Sequence, residues 1–238
     1  MQCSFAFALI LLAAWPLSMR AETGSEQPYK LTLGTYRYSD GSNGTDLNLR
    51  WRHDDTSVWV GVYRDPVFGT QTRTGFDTSL ALGGSATLQP SVQIASAGFV
   101  GGSMTFQIGD PWFAMFGWGR TNLRPYFNLN FDPNDAVTLG IGWHGQDGRT
   151  VSAMVVADDR LHTGQKDWHW YGRWPLTADA RGTLDLMRKT GEGDGGRVRA
   201  WGFSATVDFP VWFVRVARDP KQNFSSVDAT RLAIGRRF

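Results

Sequence analysis

The sequence predicts an all-β fold, a transmembrane antiparallel β-barrel of about 12 strands with 14 allowed, built as a single domain. Three observations carry that expectation. Apolar and polar residues alternate with a period of two through about fifteen strand-like segments, the signature of chain lying between an apolar and a polar surface. No segment after Ala21 carries a capped 3.6-residue period. The aromatic residues, including 11 Trp and 15 Phe in 238 residues, recur at the ends of apolar stripes, as at Trp51, Trp143 and Phe209. Belts at a membrane interface require that placement.

Bulk properties agree with a barrel and exclude other classes. The mean hydropathy of −0.29 is that of a soluble protein, but barrel strands are apolar only at every second residue. A net charge of +2 without a basic run, a zinc-finger spacing or a phosphate-cradling glycine loop gives no sign of nucleic acid as a partner. Phe5 to Leu17 is an apolar run of signal-peptide length, too short to span a bilayer as a helix. Residues 1–21 are therefore expected to be a signal peptide cleaved after Ala21, and residues 22–238 the barrel domain. The single Cys, Cys3, falls in the removed segment, so no disulfide and no thiol chemistry is expected in the mature chain.

Taken in order, Tyr29 to Tyr38 is the first strand candidate, closed by the turn at Asp40 to Gly44. Leu47, Leu49 and Trp51 then face opposite Asp46, Asn48, Arg50 and Arg52, and Val58, Val60 and Val62 opposite Trp59, Gly61 and Tyr63. Phe76 to Leu82, Val92 to Ser96 and Met104 to Ile108 follow, with glycines blurring the boundaries between Gly83 and Asp110. Trp112, Phe116 and Trp118 share a face. Phe127, Leu129 and Phe131 then alternate with Asn128 and Asn130, which predicts another strand before the turn at Asp132 to Asp135. Val137 to Trp143, Val151 to Val155, Trp168 to Trp174 and Leu184 to Leu186 continue the series. Asp158 to Asp167 and the glycine-acid stretch Lys189 to Gly196 are expected to be among the longest loops. Trp201 to Phe209, Trp212 to Val216 and Thr230 to Phe238 are the last three strands.

The final stretch, Val227 to Phe238, ends in Phe238 with apolar residues two apart behind it at Leu232 and Ile234. It resembles the C-terminal strand that the barrel-assembly machinery reads in bacterial outer-membrane β-barrel proteins, with Arg236 as the departure. The resemblance implies the outer membrane of a Gram-negative cell, reached after secretion to the periplasm. It also implies outer-membrane lipid and the assembly machinery as partners and Phe238 as the assembly signal.

With apolar stripes toward lipid, the lumen-lining candidates are Asn48, Arg50, Arg52, Asn128, Asn130, His144, His169, Arg173, Arg215 and Arg231. Arginine dominates this set, and a narrow lumen of one sign of charge selects the opposite sign. The expected function is a small porin-like channel with a basic-leaning lumen for anionic or small polar solutes. A plugged structural barrel, its interior filled by ion pairs, is the alternative.

A lipid-modifying enzyme of the acyl hydrolase type is the other alternative. Thr121, Asn122 and Pro125, followed by His144, Gly148 and Arg149, resemble the motif of the outer-membrane phospholipase A family, which implies a twelve-strand barrel. Gln146 stands where that family places its serine, Ser152 is a strand away, and His169 is the nearest match to the orienting residue, so no catalytic residue is assigned. His53, His162 and the Asp132–Asp135 turn lack metal-ligand spacing, and no metal or cofactor is predicted.

Overall fold

The computed structural model describes residues 27–130 and 132–238; the expected signal peptide, residues 1–21, lies outside the described residues. Fifteen strand segments follow in order: β1 (Tyr29–Tyr38), β2 (Asn43–His53), β3 (Thr56–Asp65), β4 (Gly69–Thr78), β5 (Leu80–Gly83), β6 (Ala86–Ala95), β7 (Phe99–Ile108) and β8 (Trp112–Thr121). After a long connection come β9 (Ala136–His144), β10 (Thr150–Asp158), β11 (Lys166–Pro175), β12 (Arg181–Gly193), β13 (Gly196–Asp208), β14 (Trp212–Asp219) and β15 (Ala229–Arg237).

Consecutive strands pair antiparallel, and β1 pairs with β15 from Lys30↔Arg237 to Tyr38↔Ala229, closing the sheet on itself. β4 and β5 make one stave interrupted at Ser79. The first pairs with β6 through Ser91–Ala95, the second through Ala86–Leu88. The barrel therefore has fourteen staves, the larger of the two numbers the chain length allows. Closure leaves no unpaired edge, which is what a sheet in hydrocarbon must achieve.

The alternation read from the sequence sets which side each residue takes. Leu31, Leu33, Leu47, Leu49, Val60, Ile141, Leu232 and Ile234 are exposed on the outer face, with Leu232 at 56%. Their strand neighbours Thr32, Asp46 and Ala233 are buried inside. Aromatic belts bracket this apolar band. Tyr29, Trp51, Trp112, Trp212 and Phe238 mark the end where β1 and β15 meet the termini, called here the seam end, and Trp118, Trp168, Trp170 and Trp201 mark the opposite, loop end. Phe238 stacks on Tyr29 at 5.7 Å, and the two residues exchange both backbone hydrogen bonds at 3.0 Å.

Two sequence expectations are corrected. Phe127–Asn130 is not a strand: no ladder forms, and the chain from Asn122 to Asp135 turns into the barrel as an inward loop (Phe131 lies outside the described residues). Nor is Lys189 to Gly196 a loop. β12 and β13 run on to a two-residue turn at Asp194–Gly195, and the glycines serve close packing. A Cβ on Gly193 would lie 2.1 Å from the Phe224 carbonyl oxygen, and one on Gly191 2.5 Å from the Gln165 Cα.

Candidate functional site

The inward loop organises the interior. Its Phe127 ring stacks on Tyr63 at 4.4 Å, and Leu129 is buried against Tyr36, Tyr38 and Ala229. The Tyr38 and Tyr63 hydroxyls are satisfied in series, whereas that of Tyr36 is buried without a partner among the described residues. Tyr38 and Tyr63 share a hydrogen bond, Tyr63 donates to Asp65 Oδ2 at 2.6 Å, and Asp65 Oδ1 accepts from the backbone of Val67 and Phe68. This apolar core inside a barrel follows from β1 and β3 offering Tyr36, Tyr38 and Tyr63 on their inner face.

Side chains from the wall hold the loop. Gln71 Nε2 donates to the Phe127 carbonyl at 3.0 Å, and the Phe127 N–H donates to Gln71 Oε1 at 2.8 Å. Tyr126 stacks on Phe99 at 4.1 Å. The Asn128 carbonyl accepts from Asn223, and Asp132 Oδ1 lies 2.7 Å from His169 Nε2. At the loop's end, Asp135 accepts from the Thr121 N–H and hydroxyl and from Arg160. Burial alone would raise the Asp135 carboxyl; the Thr121 hydrogen bonds and the Arg160 charge outweigh it and hold it below the usual carboxylate range.

Beside the loop, β14, β15, β1 to β4 and β6 enclose a chamber of about 410 Å³ lined by Lys30, Asn48, Arg50, Arg73, Arg215 and Arg231, with Asp46 as its carboxylate. Register places Lys30 directly between Arg50 on β2 and Arg237 on β15. Three like charges thus sit side by side on one inner face, an arrangement that costs stability in a sheet. The outer two are offset by acids: Arg50 by Asp77 at 3.2 Å, and Arg237 by Asp208. Arg73 pairs with Asp46 at 2.7 Å. Among the described residues, Lys30, Arg215 and Arg231 have no carboxylate within 4.0 Å. They rest on rings instead, Lys30 5.0 Å from Phe213, Arg215 5.9 Å from the same ring and Arg231 5.4 Å from Tyr36. Gly235 makes room for the shared ring, since a Cβ there would lie 2.1 Å from Phe213 Cε1.

The other sequence candidates face the interior as well. Arg52 bonds Ser57 and lines a cavity of about 370 Å³ at the seam end, beside Asp54, Asp55 and Asp77. Asn130 lies between the basic chamber and a cavity of about 410 Å³ bounded by Thr105, Gly119, Asp132 and Thr138. Arg173 shares the inner face of β11 with His169, whose two ring nitrogens face Asp132 and Asp185, so filling both contacts takes both N–H groups. His144 stacks on Phe113 at 4.4 Å, and its nitrogens face Gln107 and Thr150 rather than a serine.

Stripe reading missed part of the charge. Asp65, Asp77, Asp167, Asp185, Asp208 and Asp219 face inward, as do Lys30 and Lys189. Lys189 is fully buried and pairs with Asp219 at 2.5 Å, with Asp167 opposite it across the ladder. The interior is thus segregated rather than uniformly basic, with free cations at β14–β15–β1. Strand parity carried this information, since Lys30 shares the register of Thr32 and Gly34 opposite Leu31 and Leu33.

No family model and no curated protein matches the chain. Solved structures do. The porin NanC superposes with a TM-score of 0.50 at 9% identity, covering 87% of this chain and 100% of its own. The outer membrane protein Omp33 of Acinetobacter baumannii does so with a TM-score of 0.57 at 9% identity, covering 89% and 98%. At that identity the likeness is one of fold. The chain has the closed-barrel fold of bacterial outer-membrane porins.

Proposed function

We propose that the protein is a small outer-membrane channel whose passage favours anionic or small polar solutes. The observation that carries this reading is the basic chamber, where Lys30, Arg215 and Arg231 face a cavity without carboxylate partners among the described residues. Such a cluster destabilises an empty wall and attracts an anion, and a low-dielectric surround focuses its field. The inward loop narrows the barrel beside that chamber, which brings a passing solute within reach of the cations. Secretion by residues 1–21, contact with outer-membrane lipid along the apolar band and recognition of the Phe238 strand by the assembly machinery belong to the same proposal.

The test is conductance across a planar bilayer with reversal potential measured in a salt gradient. Anion preference is expected. Cation preference would overturn the reading. Absence of conductance would favour a plugged structural barrel, to which the Tyr36–Tyr38–Tyr63–Leu129 packing lends support.

A further inference from the structure

The outer face of β11–β13 changes character toward the loop end. The ladder there is read in rows running outward from the apolar band. Trp170, Leu186 and Phe203 form the first row; Trp168, Arg188 and Trp201 the second; Lys166, Thr190 and Arg199 the third. All of these alternate with buried inward residues, Asp167, Met187, Lys189 and Val198, so they point away from the lumen. Trp170 and Trp201 stack at 5.5 Å, and the Arg188 guanidinium lies 5.7 Å from the Trp201 ring. Lys166, Arg188 and Arg199 are exposed and make no ion pair among the described residues. The nearby outward charges are Glu192 and Arg197, paired in register one row further out, and Arg218, which is held by Asp228 at 2.8 Å.

We infer that Lys166, Arg188 and Arg199 form a site for the phosphorylated headgroup of an anionic lipid. Neighbouring strands lie about 4.8 Å apart, so Lys166 and Arg199, two strands apart, stand about 10 Å apart, with Arg188 one row below and between them. Three long cationic side chains at that spacing converge on one phosphate, which relieves their mutual repulsion. The aromatic row beneath them marks the depth of the membrane interface, where lipid phosphates sit and where Trp rings are stable. An anionic lipid matches both halves of the patch, its acyl chains on Leu186 and Phe203 and its phosphate on the cations. The inference rests on the barrel spanning a membrane and is independent of whether the lumen conducts.

The test is native mass spectrometry of the folded, detergent-solubilised barrel with phosphatidylglycerol, phosphatidylcholine or inorganic phosphate added. Preferential retention of phosphatidylglycerol over the other two is expected. Arg188→Ala should lower that preference about five-fold, and the triple Lys166→Ala/Arg188→Ala/Arg199→Ala should abolish it. Arg149→Ala, at the far end and paired with Asp147 at 3.0 Å, should leave it unchanged. Equal retention of the two lipids, an unaffected triple variant, or inorganic phosphate bound as well as lipid would each overturn the assignment. A readout on the unaltered protein stands beside the variants. Raising salt from about 0.01 to about 1 M shortens screening from about 30 to about 3 Å and should release phosphatidylglycerol, whereas salt-insensitive retention contradicts the site.

Discussion

Gln71 and Phe127 are joined by two hydrogen bonds, amide side chain to backbone, at 3.0 and 2.8 Å. The side chain of a wall residue thereby stands in for a neighbouring strand and gives the inward loop the pairing a ladder would supply. Gln71 is buried and Phe127 half-buried, so losing Gln71 leaves the Phe127 N–H and carbonyl without their partner, a cost of roughly 1 kcal/mol. Gln71→Ala is expected to keep the barrel and loosen the loop, seen as larger or noisier single-channel currents. Currents identical to those of the unaltered protein would mean the clamp does not position the loop.

Removing charge from the basic chamber should change selectivity before stability. Lys30→Gln relieves the repulsion from Arg50 and Arg237 on either side, so the variant is expected to fold at least as well while its reversal potential moves toward cations. Arg215→Gln should shift it in the same direction. An unchanged reversal potential in both would remove the chamber from the permeation path.

Lys189 makes the opposite case. It is fully buried against Asp219, and Lys189→Met would strand that carboxylate and Asp167 without a counter-charge. Breaking such a pair typically costs about 3–5 kcal/mol. Urea unfolding of the vesicle-inserted protein should report a loss of that order, and a loss under about 1 kcal/mol would show that water already reaches the pair.

The Asp135 anchor gives the loop an acid sensitivity with a defined sign. Its carboxyl is held below the ordinary carboxylate range in the folded protein. The stability it contributes is therefore complete above the unfolded value of about 3.9 and lost as pH falls through the lowered folded value. Loop-dependent current noise should stay flat from neutral pH down to about 4 and rise below it. Asp135→Asn should show the raised noise already at neutral pH.

At the seam, deleting Phe238 removes the stack on Tyr29 and both backbone hydrogen bonds there. Arg236→Ala removes an outward charge near the interface, where such charges cost roughly 0–1 kcal/mol. Pulse-labelled assembly in cells should therefore suffer more from the deletion. Equal assembly of the two variants would contradict the proposed role of Phe238 as an assembly signal.

The wall was legible because a two-sided environment writes itself into a two-residue period. Leu47, Leu49 and Trp51 went outward, and Asn48, Arg50 and Arg52 inward, as alternation requires. The same logic misled at Phe127–Asn130. A loop laid between a tyrosine core and polar partners also meets an apolar and a polar surface, so its sequence alternates without any ladder. Gly191 and Gly193 misled in the other direction. They read as turn residues, yet they sit in strands because other backbone segments press against them. The acids Asp167, Asp208 and Asp219 were missed because they stand at strand ends, where the apolar stripe that marks the register has already faded.

The pairing of β1 with β15 joins residues near 30 to residues near 235. No local contact forms this seam, so the chain must carry two raw edges until its last strand arrives. For the membrane-spanning barrel proposed above, each unpaired backbone group in hydrocarbon is expensive, and we therefore expect insertion and closure to be one event rather than two. A chain stopped before Ala229 would have thirteen staves and no mate for β1, and quality control would meet it as an open sheet prone to join another.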